Sequence, residues 1–102
     1  YSWMSYRQAS RYEEEARMLG VSKVARSSRG FLREYQSAVS ARAMKNRPVA
    51  GKNQTWGDRR DAFIKRHLPQ YKRNPTRRRF LALCMWGFRA SPPPTIQKVS
   101  PK

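Results

Sequence analysis

Acidic side chains are what this sequence has least of: six Asp plus Glu stand against 23 Lys plus Arg, giving a net charge of +17 and a pI near 11.4. Self-repulsion of that size opposes compaction, and a polyanionic partner is the economical explanation. Nucleic acid is the first candidate and an anionic membrane surface the second. With one His, one Cys, and three of the acids contiguous at Glu13, Glu14 and Glu15, neither a nucleophilic triad nor a carboxylate pair with a proton donor can be assembled. The chain is therefore expected not to be an enzyme, and no catalytic residue is assigned. Ligands are too few for a zinc site and there is no glycine-rich phosphate loop, so no metal and no cofactor are expected. The lone Cys84 cannot form an intrachain disulfide; it reads as a buried thiol in an apolar helix, which fits a reducing compartment. No apolar run approaches the roughly 18 residues a membrane-crossing helix needs, and no stretch has the pattern of a signal peptide. The first residue is Tyr1 rather than Met, which suggests a trimmed domain or a processed product.

What is present is enough for one small core. The 102 residues are 38% hydrophobic and 12% aromatic, too rich for a purely disordered basic tail. The patterning predicts an all-α fold: a small compact bundle of about four helices around a buried C-terminal helix, followed by an extended basic, Pro-rich tail. Residues 1–90 form the single basic helical domain and 91–102 the tail, with Pro92, Pro93 and Pro94 favouring polyproline geometry.

Residues 74–88 hold the centre of this reading. Asn74 suits an N-cap, Pro75 the first helical position and Gly87 the stop, and from Phe80 to Phe88 the segment is apolar on every side. Its first turn carries Arg77, Arg78 and Arg79, where the helix dipole favours acids. Alone, such a triplet reads equally as a solvated turn; in so basic a chain it reads as a phosphate site, guanidinium groups beside free helix amides.

The other elements follow from stripes and caps. Residues 1–20 read as one helix, with Ser5 and Gln8 as a capping box, Ala9, Tyr12, Ala16 and Leu19 as its stripe, and Gly20 as its stop. Arg11 with Glu15 and Glu13 with Arg17 are spaced as i,i+4 pairs, and the Glu13 to Glu15 run should face away from phosphate or toward a basic neighbour. After a short connection, Ser27 or Ser28 caps a second helix running to about Met44, with Phe31, Leu32, Tyr35, Ala38 and Val39 inward, Arg29, Arg33 and Arg42 outward, and Gly30 a weak point. Residues 46–53 are a loop. Thr55 and Asp58 open a third helix with Ala62, Phe63, Ile64 and Leu68 as its core face, and Pro69 ends it.

Cations fall on every predicted helix and in both main loops, which favours phosphate contacts that position a protein without reading sequence. The predicted footprint has Arg77, Arg78 and Arg79 at its centre, Arg59, Arg60, Lys65, Arg66, Lys72 and Arg73 flanking it, and Arg26 and Arg29 contributing from the second helix. Trp3, Trp56 and Trp86 could stack on bases, but each lies among apolar residues and is assigned to the core. His67, beside Arg66, is assigned no chemistry. Ala16, Gly20 and Ser22 have the spacing of a helix-turn-helix, in which Val24-Ala25-Arg26 would begin the recognition helix.

Three segments, residues 24–35 (Val24-Ala25-Arg26-Ser27-Ser28-Arg29-Gly30-Phe31-Leu32-Arg33-Glu34-Tyr35), residues 56–70 and residues 75–86 (Pro75-Thr76-Arg77-Arg78-Arg79-Phe80-Leu81-Ala82-Leu83-Cys84-Met85-Trp86), together a little over half the chain, resemble the dinoflagellate/viral nucleoproteins. Those are small basic proteins of dinoflagellate nuclei and large algal DNA viruses. The resemblance implies histone-like, largely sequence-independent binding and compaction of double-stranded DNA, in a nucleus as chromatin or in a virion. The acidic run at Glu13 to Glu15 and the want of a long lysine-rich N-terminal tail depart from that family's pattern. Two alternatives stand beside DNA packaging: an RNA-bound structural protein, ribosomal or of a virion, and a helix-turn-helix regulator. A third class is a protein-interaction module using the prolines and the acidic run.

Overall fold

Capping side chains decide where most of the helices start. In the computed structural model, which describes residues 1–92, Ser5 Oγ accepts from the Gln8 amide and Gln8 Oε1 accepts from the Ser5 amide, both at 3.1 Å, opening α1 at Tyr6–Ser10. The helix expected over residues 1–20 breaks at Arg11 and Tyr12, and α2, Glu13–Leu19, begins anew. The break has two physical returns. Tyr12 meets the ring of Phe80 edge-on at 5.3 Å, and all three glutamates land in the first turn of α2, where the helix dipole favours them. Ala9 and Ala16 are buried as expected and Gly20, at φ +68°, stops α2, but Leu19 is exposed.

The second expected helix is also two. Its start is not Ser27 or Ser28: residues 23–29 form turns, and α3, Phe31–Ser37, follows Gly30 as N-cap. A β-carbon on Gly30 would lie 2.2 Å from the carbonyl oxygen of Val24, so the residue that looked like a weakness is what lets the turn close on the helix. The Leu32 amide then donates to the Ala25 carbonyl at 3.0 Å. No helix exists at Val24 to Arg26, and the helix-turn-helix reading is thereby corrected. At the other end the chain leaves helix at Ala38, and Ser40 caps α4, Ala41–Lys45. Arg47 holds this corner by donating to the Glu34 carbonyl at 3.0 Å and to Ser37 Oγ at 2.8 Å. Val39, expected inside, is consequently 94% exposed.

The Thr55 and Asp58 capping box opens α5, Trp56–Arg73, which does not end at Pro69. Pro69 sits on the exposed side of the helix, and continuing past it buries Tyr71 near Phe80. Ile64 is fully buried, whereas Ala62 is exposed. Asn74 closes α5 instead of opening the next helix; α6, Arg77–Cys84, takes Thr76 as N-cap, its Oγ1 accepting from the Arg79 amide at 3.1 Å. Gly87, at φ +69°, turns the chain after α6.

The result is the expected all-α architecture. Among the described residues four helices have seven or more residues, α2, α3, α5 and α6, and the only β pairing is two isolated bridges. The buried α6 packs on α2 and α5, while α1 packs on α3 and α4 on α5. Phe31, Leu32, Ile64, Phe80, Leu81 and Leu83 are at most 1% exposed, each worth about 1.5–3 kcal/mol of burial. No helix among the described residues is long and apolar enough to cross a membrane. Of the expected tail at 91–102, all but Ser91 and Pro92 lies outside the described residues.

Candidate nucleic-acid interface

Five of the six acids are engaged by the chain's own arginines or by a helix cap; the sixth, Asp61, is exposed on α5. Glu13 accepts from Arg33 of α3 at 2.7 and 2.8 Å, and Glu15 takes a two-point contact from Arg77 of α6 at 2.7 and 2.8 Å. Glu14 pairs with Arg17 one turn on, Glu34 with Arg47 at 3.1 Å, and Asp58 completes the α5 cap. The acidic run thus fans out to three arginines on three helices, the basic neighbour it was expected to face. The i,i+4 pairs predicted for Arg11 and Arg17 are not the ones that form. Among the described residues Arg17 is the one exposed cation with a carboxylate partner, so the outer surface is left positive.

Not every predicted contact residue lies on that surface. Arg60 is the clearest correction, being 0% exposed. Its Nε donates to the Trp86 carbonyl at 2.7 Å, Nη2 to Ser2 at 2.6 Å and Gly87 at 3.1 Å, and Nη1 to Tyr1 at 3.4 Å. Its guanidinium also lies 3.8 Å from the ring centroid of Trp3. Burial pulls its pKa down to about 10, with Asp61 and Tyr35 acting against that, so it stays charged at neutral pH. Arg60 ties the N-terminal segment to the end of α6, and the Met4 amide donating to Gly87 at 2.8 Å and Tyr35 Oη donating to Met4 at 2.6 Å complete the tie.

The arginine triplet divides as well. Arg77 faces α2, its pKa raised first by the hydrogen bond to Glu15. Arg78 donates to the Leu19 carbonyl at 2.7 Å and Arg79 to Asn74 at 3.4 Å, both remaining exposed. Helix α6 therefore begins against its own chain, and only Arg78 and Arg79 of the triplet face outward. Arg26 is partly buried and donates to the Val21 carbonyl at 2.7 Å. Arg29, Lys65, Arg66, Lys72 and Arg73 are exposed, and the half-buried Arg59 lies 5.6 Å from the ring centroid of Trp56.

What the fold brings together is a face along α5. Arg59, Arg66 and Arg73 recur every seven residues, which puts them on one side of the helix at intervals of about 10 Å. Beside Arg59 and Arg66 runs a cleft of about 550 Å³ whose far wall is the turn at residues 22–25; Lys23, Arg59 and Arg66 supply its charge, and Phe63 and Trp86 are among its apolar lining. A second groove of about 360 Å³ shares Arg59 and adds Arg29 and Lys52. Its acid, Glu34, is already paired with Arg47. No protein-family model, curated protein or solved structure matches the chain.

Lys23, Lys52 and Gln54 are the groove residues that sequence reasoning missed. All three come from turns or loops, where no periodicity says which way a side chain faces. The tryptophans are placed as assigned: Trp56 and Trp86 are buried and Trp3 is half-buried against Phe31 at 5.9 Å. His67 stacks on Phe63 at 4.1 Å, its pKa lowered first by burial and then by Arg66. Cys84 is fully buried, which pushes its thiol up to about 12. Among the described residues no His, Cys, Asp and Glu side chains cluster in a way that could hold a metal ion.

Proposed function

We propose that this protein is a non-enzymatic, largely sequence-independent binder of double-stranded DNA that helps to compact it, engaging phosphates through the face of α5. One observation carries the reading: five of the six acids are engaged in ion pairs or a helix cap, the sixth being the exposed Asp61, while Arg29, Lys52, Arg59, Lys23 and Arg66 line two adjoining grooves without a carboxylate partner among the described residues. Arginine offers a planar fork for phosphate oxygens, and such contacts fix a protein on a duplex without reading its bases. Lys65, Lys72, Arg73, Arg78 and Arg79 are further exposed cations on α5 and α6. The resemblance to the dinoflagellate/viral nucleoproteins points the same way and would place the protein in chromatin or a virion.

The interaction-module reading loses its acidic element, because Glu13, Glu14 and Glu15 are already engaged by Arg33, Arg17 and Arg77. Competition at fixed salt among duplex DNA, duplex RNA and single strands tests the choice of partner. Unlabelled duplex DNA of any sequence should displace labelled duplex DNA at least as well as duplex RNA does. Preferential displacement by RNA would transfer the reading to an RNA-bound structural protein.

A further inference from the structure

The α5 cleft is built for more than a phosphate. Its charge is at the rim, on Lys23, Arg59 and Arg66, but its walls are the apolar side chains of Val24 and Ala25 on one side and Ala62 and Phe63 on the other. Val24 is 65% exposed and Ala62 is also exposed, an apolar mouth that nothing else in the described chain covers. A sugar-phosphate backbone lying across this rim would satisfy the cations and leave those walls wet. A flat, partly apolar body joined to a phosphate would fill both parts.

The jaws are also fixed in advance. The 22–25 turn is held by the Arg26 amide on the Ser22 carbonyl at 3.1 Å, the Leu32 amide on Ala25 at 3.0 Å, and the close approach of Gly30. The opposite jaw is the middle of α5, and Trp86 beneath is packed between Phe31 at 5.1 Å and Phe63 at 5.0 Å. Because Phe63 is itself flanked by Trp86 and His67, the cleft presents apolar walls and ring edges instead of a free ring face. Gln54 lines the same cleft, and its amide can both donate to and accept from the edge of a base.

We infer that this cleft receives one unpaired nucleobase, inserted between Val24 and Ala62 while the flanking phosphates rest on Lys23, Arg59 and Arg66. The inference rests on the nucleic-acid reading above and adds that a duplex carrying an extrahelical nucleotide is a better ligand than a perfect one. Bases already out of the stack bind such pockets without the unpairing cost, by contact with apolar side chains and hydrogen bonds to the exposed edge.

The experiment uses the full chain and three short duplexes at one salt concentration: perfectly paired, with one extrahelical nucleotide, and with one extrahelical abasic site that has the same backbone and no base. The base-bearing bulge should bind roughly tenfold tighter than the abasic bulge, which corresponds to removing about 55 Å² of apolar surface from water. Ala62→Leu, which grows from an exposed position into the cleft, should bring that ratio to one. Equal affinity of the base-bearing and abasic bulges for the unaltered chain, or an unchanged ratio in Ala62→Leu, would overturn the cleft as a base site while leaving duplex binding intact. Failure to bind any of the three duplexes would overturn the nucleic-acid reading and the cleft together.

Discussion

Arg60 shows how far one side chain can depart from its composition. In a chain this basic it reads as one more surface cation, flanked as it is by Arg59 and Asp61 on a helix that carries five other predicted contact residues. Nothing in its helical spacing says that Tyr1, Ser2, Trp86 and Gly87 will converge on it from both ends of the chain, because those contacts are made at separations of 26 to 59 residues. Removing it takes the donor from the buried Trp86 carbonyl, unties the N-terminal segment and leaves a cavity where a fully buried side chain stood, so Arg60→Ala should lower stability by about 3 kcal/mol or more, read as a fall in the denaturant midpoint. Arg66→Ala, on the surface, should stay within about 0.5 kcal/mol of the parent. Equal midpoints for the two variants would contradict the assignment of Arg60 to the core. Cys84 is the residue whose position was legible, since an apolar helix has little else to do with a lone thiol. Its folded pKa, pushed up to about 12 from an ordinary 9.0, means that the unfolded chain loses the proton first. Stability from this group is therefore full below about pH 9 and declines from there toward pH 12, and Tyr35 and Tyr71, also raised by burial, add in the same direction. Arg60, lowered to about 10, acts in the opposite sense above that pH, so the thiol's share is read as a difference: in unfolding titrations between pH 8 and 12, with each protein referred to its own stability at pH 8, the parent should lose more than Cys84→Ala.

At the scale of elements, caps and apolar stripes were legible and breaks were not. The Ser5 and Thr55 boxes, the Gly20 stop and the burial of Phe31, Leu32, Tyr35, Ile64 and Phe80 all follow from local chemistry. The breaks at Arg11 and Ala38 and the passage of α5 through Pro69 do not, because each is decided by a partner distant in sequence: Phe80 for Tyr12, Arg47 for the end of α3, and the Phe80 neighbourhood for Tyr71. Gly30 is the sharpest case. Helix propensity alone predicts that Ala at this position would help, by up to about 1 kcal/mol. The contact of its missing β-carbon with the Val24 and Ala25 carbonyls predicts the reverse, a loss of about 1–3 kcal/mol on Gly30→Ala. Thermal or denaturant unfolding of that one variant decides between them by sign. Since the same turn forms a wall of the α5 cleft, the element that looked weakest in sequence is one on which the candidate site depends.

For the molecule as a whole, charge was legible in amount and not in placement. The composition makes a polyanion the expected partner, but four arginines are drawn off by glutamates and Arg60 is drawn inside. The arginine-rich start of α6, the most conspicuous basic run in the sequence, is thereby half committed to α2, and the focus moves to α5 and its two grooves. A surface that binds through phosphates must release counterions, so the most direct test is the affinity for unrelated duplex DNA sequences measured across a range of salt concentrations. With roughly 6 to 10 phosphates neutralised, affinity should fall about 10³- to 10⁵-fold between 50 and 200 mM salt, alike for every sequence. The double variant Arg59→Ala with Arg66→Ala should flatten the log–log slope by about two, one contact for each arginine. Weak binding that ignores salt, or a slope unchanged in the double variant, would contradict the account.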